Sequence, residues 1–207
     1  MEVTHVFFDI GGVLATNGWD RNDRREASAH FGLDHDDYAA RHDEVVAAFE
    51  EGRLTLDEYL DRTVFVRPRS FTAEDFKRFM YQQSKAYPDS IAVARELAAT
   101  KSVRMCIASN ESEELNRYRV RLFGLSQIFD TFLESCWIGV RKPEPIFFER
   151  CLEITAARGE QSVFIDDREE NIEAADAFGF KVILFQSAGQ LRRALGAAGL
   201  ELNTNHG

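Results

Sequence analysis

Four polar stations along this chain could do chemistry together if the fold gathers them. Asp9 lies in VFFDIGGVLA (Val6 to Ala15), Ser109-Asn110 close VRMCIASNE (Val103 to Glu111), Lys142 directly precedes Pro143, and Asp166-Asp167 lie in SVFIDDREEN (Ser162 to Asn171). Asp9, Ser109 and the aspartate pair each follow a Val-, Ile- or Phe-containing apolar run of the kind that forms a buried parallel strand. Strand ends of a parallel sheet share one edge, the usual ligand position of α/β folds, so groups remote in sequence can meet in one crevice there. Each station also has an ordinary explanation. Asp9 could cap the turn at Gly11-Gly12, Ser109 or Asn110 could cap a helix, Lys142 could be a solvated side chain entering a turn, and Asp166-Asp167 could cap the acidic helix beginning near Arg168.

The elements needed to position these groups are readable from the pattern. KVILFQS (Lys181 to Ser187) adds another apolar strand, and Thr131 to Leu133 a short one. Helical stretches at Ile91 to Thr100, Ser112 to Phe123, Pro145 to Glu153 and Asn171 to Phe178 alternate with the strands, with Gly124 and Gly179 as stop signals. This alternation predicts an α/β fold, a doubly wound parallel sheet with right-handed crossovers.

The interval from Asn17 to Tyr87 breaks the rhythm. Apolar residues there recur at helical spacing, as in Tyr38, Val45, Val46 and Phe49, then Leu56, Tyr59 and Leu60, and Thr55 with Glu58 reads as a capping box. The expected organisation is an α/β core from residues 1–16 and 87–207, with a small helical domain inserted over 17–86.

With 207 residues the chain can bury a full core without metal or disulfide staples. Cys106, Cys136 and Cys151 are widely spaced and read as reduced thiols, and no stretch resembles a leader or membrane span, so a soluble cytoplasmic protein is expected. The formal net charge of -10 disfavours nucleic-acid partners. A small anionic substrate is compatible with it if positive groups converge locally.

In this order, the stations resemble the motifs of the haloacid dehalogenase superfamily, most closely its helical-cap phosphatases. FIDDREENIEAADAFGF (Phe164 to Phe180) is the most specific piece, and DIGGV with RKPEPIFF is similar to bacterial sugar-phosphate phosphatases and the phosphatase domain of soluble epoxide hydrolases. The resemblance implies a Rossmann-like core and an Mg²⁺-dependent phosphatase in which Asp9 is the nucleophile. It implies Ser109 and Lys142 as further catalytic groups, and Ile10, Gly11 and Asn110 as phosphate-binding positions. Asp9, the Gly11 carbonyl, and Asp166 or Asp167 are the implied Mg²⁺ ligands, and Asn171 would orient an acidic ligand. Trp19 and Arg21, with Arg24 and Arg25 nearby, stand where the chain enters the insert and are candidates for substrate specificity. Small phosphorylated metabolites, sugar phosphates first, are the expected partners.

One position departs from the pattern. Most family phosphatases carry a second aspartate two residues after the nucleophile, as leaving-group acid; here that residue is Gly11. Asp20 or His42 of the insert could supply a proton in its place. A 2-haloacid dehalogenase, which needs no such acid, and a catalytically weak binding protein are the alternative readings.

Overall fold

A computed structural model of the protein describes residues 2–202. Five strands, β1 (His5–Phe8), β2 (Arg104–Ser109), β3 (Thr131–Glu134), β4 (Ser162–Asp166) and β5 (Lys181–Leu184), form a parallel sheet in the order β3-β2-β1-β4-β5. The strand order reverses at β1, so the crevice beyond its carboxyl end is the topological switch point. The expected α/β fold class is therefore what forms.

Alternation along each strand sends side chains to two different cores. Val6, Phe8, Ile107 and Ile165 pack with helices α5 (Pro88–Thr100) and α10 (Ala188–Ala197). Phe7, Cys106, Ala108 and Phe164 pack on the other face with α8 (Pro145–Thr155) and α9 (Glu169–Ala177). Strands buried on both faces explain the unbroken apolar runs. Cys106, Cys136 and Cys151 are all buried and unpaired.

Four helices, α1 (Arg21–Phe31), α2 (His35–Glu50), α3 (Leu56–Thr63) and α4 (Ala73–Gln82), follow β1 and gather a separate apolar cluster around Tyr38, Tyr59, Phe76 and Met80. Their starts are chemically encoded. Asp20, Thr55 and Thr72 cap α1, α3 and α4, each in a reciprocal box with an acidic residue three positions on. Trp19, with φ 56 in the left-handed region, plunges its ring into this cluster, where the indole N–H lies 3.0 Å from both the Tyr38 and Tyr59 hydroxyls. His42 Nδ1 stands 2.9 Å from the Tyr59 hydroxyl.

The chain leaves and rejoins the sheet domain side by side. Ala15 bridges Ala86 in antiparallel fashion, and the Thr16 amide donates to the Lys85 carbonyl at 2.8 Å. Beneath this double crossing lies Arg119 of α6 (Glu113–Leu122), fully buried and bonded to both the Glu111 carboxylate and the Thr16 carbonyl. A short helix, α7 (Ser135–Ile138), closes the list of helical elements along this edge.

Two stability predictions follow from these buried groups. Removing one partner of a buried ion pair strands the other charge, so Arg119→Ala should lower unfolding free energy by about 3–5 kcal/mol in urea titrations, and Arg119→Met with Glu111→Leu should recover much of that loss. Burial and the Arg24 charge push the His42 pKa down from 6.5 to about 3. The unfolded chain then binds the extra proton between those values, so stability present at neutral pH is lost as pH falls below about 6.5. Thermal melts across pH 4–7 should show a shallower decline in His42→Asn than in the wild type.

Candidate active site

Asp9 ends β1, and its amide still donates to the Ile165 carbonyl at 3.0 Å, so the nucleophile candidate sits beside the end of β4, where Asp166 stands. Three donors converge on Asp9 Oδ1: the Ser109 hydroxyl at 2.6 Å, the Ile10 amide at 2.8 Å and Lys142 Nζ at 3.1 Å. Lys142 Nζ also reaches Asp166 Oδ2 at 2.6 Å. A single buried ammonium thus bridges carboxylates from adjacent strands.

The supports of this bridge are reciprocal. Asn110 Nδ2 donates to the Lys142 carbonyl and the Lys142 amide donates to Asn110 Oδ1, each at 2.8 Å, which fixes the loop that delivers the lysine. Asn171 Nδ2 donates to both Asp166 oxygens at 2.9 and 3.0 Å, and the Arg168 amide donates to Asp166 Oδ1 at 2.9 Å. The Asn110 side chain is therefore engaged with the lysine loop, and the Ile10 amide with the Asp9 carboxylate.

Burial dominates the electrostatics. Desolvation pushes Asp9 up to about 7, opposed by Lys142, reinforced by Asp166 and partly offset by Ser109. Burial works against the charge on Lys142, but Asp166 and Asp9 outweigh it and hold the ammonium above its ordinary pKa. Asp167 is raised by burial and by Asp166. Just behind Ser109, at the end of β3, Glu134 is buried with neither carboxylate oxygen bonded, and its pKa is driven well up by burial and by Glu111.

Oxygens of Asp9, Asp166 and Asp167 lie within 4.8 Å of one another, a hard-donor set of the kind Mg²⁺ takes. Asp167 Oδ1 is buried without a hydrogen-bond partner. Its approach depends on Gly12, at φ 72, where an added Cβ would fall 2.1 Å from Asp167 Oδ2. These features fit a divalent cation.

Asp9, Ser109, Asn110, Lys142 and Asn171 open into a cavity of about 470 Å³ shared with the helical insert. Trp19, Arg21 and Arg24 line it, whereas Arg25 is exposed on α1 and is not among its lining residues. Trp19 contributes from a largely buried position within the insert's own core. His42 reaches the same wall as a neutral ring, and Asp20 Oδ1 accepts the Asn22 and Asp23 amides, so both proton-donor candidates are already committed elsewhere. Over Gly11, the carboxamide of Asn17 occupies the space a side chain would enter: a Cβ there would lie 3.0 Å from Asn17 Oδ1. Asn17 and the Arg119–Glu111 pair escape sequence reading, because neither follows a strand end or a helical period. The adjacency of Asn17 to Gly18, whose absent side chain leaves room for Arg119 Nη1, is the one local signal.

A profile of haloacid dehalogenase-like hydrolases matches residues 3–179. The chain is 30% identical over 133 residues to bifunctional epoxide hydrolase 2 of Rattus norvegicus, covering 62% of this chain and 24% of that protein. It is 30% identical over 101 residues to phosphoglycolate phosphatase of Aquifex aeolicus, covering 49% and 47%. These matches span about a quarter and about half of the two relatives. In fold, the chain resembles a haloacid dehalogenase family enzyme from Bacteroides thetaiotaomicron, determined with magnesium and inorganic phosphate, at a TM-score of 0.77, 19% identity, and coverage of 90% and 96%. L-2-haloacid dehalogenase from Xanthobacter autotrophicus, with chloropropionic acid covalently bound, matches at a TM-score of 0.60, 20% identity, and coverage of 96% and 84%. With strand order, motif residues and profile in agreement, the chain belongs to the haloacid dehalogenase-like hydrolases, a family whose members related to it include phosphatases.

Proposed function

We propose that this hydrolase is an Mg²⁺-dependent phosphatase of small phosphorylated metabolites, sugar phosphates first, acting through an aspartyl-phosphate. The observation that carries the reading is Lys142 Nζ between Asp9 and Asp166, with the Ser109 hydroxyl on the same Asp9 oxygen. Three donors hold Asp9 Oδ1, so Oδ2 is the oxygen assigned to attack. It forms the bond to phosphorus as the ester P–O bond breaks; the departing oxygen keeps the electron pair and takes a proton from water. A second water then cleaves the aspartyl-phosphate, releasing inorganic phosphate and restoring the carboxylate.

Asp9, Asp167 and the Gly11 carbonyl are the proposed direct ligands of Mg²⁺. Asp166, already bonded to Lys142, Asn171 and the Arg168 amide, serves chiefly to hold the lysine. When bound, Mg²⁺ would offset carboxylate charge and polarise the phosphoryl oxygens. Lys142 and Ser109 would face the same oxygens, helped by the Ile10 and Asn110 amides once phosphate displaces their present partners. The helices over 21–82 act as a cap that excludes water, with Trp19 and Arg21 on its substrate face. Three free thiols suit a reducing cytoplasm.

Gly11 offers no side chain to serve as leaving-group acid, and the Asn17 carboxamide above it carries no transferable proton at neutral pH. Gly11 also motivates a second reading, the 2-haloacid dehalogenase, because a halide leaves without a proton. Chloride release from 2-chloropropionate in the presence of chelator would favour it over the phosphatase.

Asp9→Asn should abolish hydrolysis of p-nitrophenyl phosphate, and chelation of the wild type should do so reversibly, with Mg²⁺ restoring the rate. A positioned general acid contributes roughly 10²–10⁴-fold, so wild-type kcat should fall steeply as leaving-group pKa rises from aryl to alkyl phosphates. Gly11→Asp combined with Asn17→Ala should flatten that dependence by about tenfold or more. A flat wild-type series would show that a proton donor is present after all.

A further inference from the structure

Two arginines of the cavity wall make no ion pair among the described residues, Arg21, which is exposed to water, and Arg24, which is partly buried. Among its acidic residues, Glu111 is paired with Arg119, Glu50 with Arg141 at 2.8 Å, and Asp20 is bound to the first amides of α1. Glu170 lies 3.8 Å from Arg168. Arg24, by contrast, makes no ion pair among the described residues. Its Nη1 donates to the Trp19 carbonyl at 2.5 Å, and its Nε is buried with no acceptor. The neighbouring His42 is held neutral by burial and by the Arg24 charge itself, and Tyr38 and Tyr59 feel the same charge. Among the described residues no carboxylate pairs with the guanidinium.

A partly buried, uncompensated arginine is costly unless an anion completes it. The phosphoryl group has its own cations, Lys142 and the proposed metal, beside Asp9. We infer that Arg24 forms a second anion subsite, and that the preferred substrates are small phosphomonoesters carrying a second anionic group, carboxylate or phosphoryl, remote from the ester being cleaved. The planar guanidinium suits both, since each offers paired oxygens to adjacent N–H groups. The cavity of about 470 Å³, lined by both Asp9 and Arg24, admits a metabolite-sized molecule. This inference rests on the phosphatase reading and narrows it from phosphorylated metabolites in general to those with a second anionic group.

The test compares matched substrates on the Mg²⁺-loaded enzyme. One arm sets 2-phosphoglycolate against 2-hydroxyethyl phosphate, which replaces the carboxylate by a neutral hydroxyl; the other sets glucose 1,6-bisphosphate against glucose 6-phosphate. In at least one arm the charged member should show a KM at least tenfold lower. The arm that responds identifies carboxylate or phosphoryl as the second anion. Arg24→Met should collapse that KM ratio toward one, whatever it does to the kcat common to both members. Arg25→Met, an exposed neighbour on the same helix outside the cavity, should keep the ratio. Equal KM values in both arms, or a ratio that survives Arg24→Met, would overturn the inference while leaving p-nitrophenyl phosphate turnover to support the phosphatase. If no phosphate ester is turned over, that reading fails instead. Calorimetric Kd values for 2-phosphoglycolate and its neutral counterpart on Asp9→Asn then decide the subsite: a tenfold difference supports it and equal values overturn it.

Discussion

A buried ammonium between two carboxylates constrains the rest of this molecule. Lys142 Nζ touches Asp9 and Asp166 from neighbouring strands and lies 5.7 Å from the centre of the Phe164 ring, away from bulk water. Stripping water from any one of these charges alone would cost several kcal/mol, so each is tolerable only with the others in place. That requirement explains why so many neutral amides are spent on scaffolding. Asn110 fastens the lysine's loop by two hydrogen bonds and Asn171 grips both oxygens of Asp166. The result is a preorganised electrostatic site whose charges are held in place by these hydrogen bonds.

Legibility in the sequence follows periodicity. The apolar runs ending at Asp9, Ser109 and Asp166 mark strands to within one or two residues, because strands covered on both faces carry a continuous signal. The grouping of their terminal residues then follows from parallel topology. The capping box at Thr55 is equally local and forms where the motif stands. Side chains whose role depends on a distant partner are not readable in this way. Arg119 looks like one more charge on an amphipathic helix, yet it is fully buried because Glu111 and the Thr16 carbonyl meet it below the crossing. Trp19 reads as an aromatic face for a ligand, while its ring chiefly joins two tyrosine hydroxyls inside the helical cluster. Asn17 is invisible without coordinates, since what matters is the hole left by Gly11.

The insert and the sheet are coupled through specific contacts, among them the Ser135 hydroxyl donating to the Glu50 carbonyl at 2.6 Å and Leu115 packed into the insert's apolar cluster. Arg141, one residue before the bridging lysine, pairs with Glu50 at the end of α2, and the Leu56 amide at the start of α3 donates to Glu114 at 2.8 Å. The Arg141 pair joins the residue before Lys142 to the end of α2, and the Glu114 contact joins α6 to the start of α3. The helices over 21–82 are thereby registered against the carboxyl edge of the sheet.

The paired exit and return of the chain at Ala15 and Ala86 carry an evolutionary corollary. Because the two crossings are hydrogen-bonded neighbours, everything between them can lengthen, shorten or be replaced without altering the register of β1 against β4. A single deletion inside β1, by contrast, would rotate its terminal acid to the opposite face of the sheet. Lineages can thus diversify what they recognise by exchanging one contiguous module while inheriting the reaction centre intact.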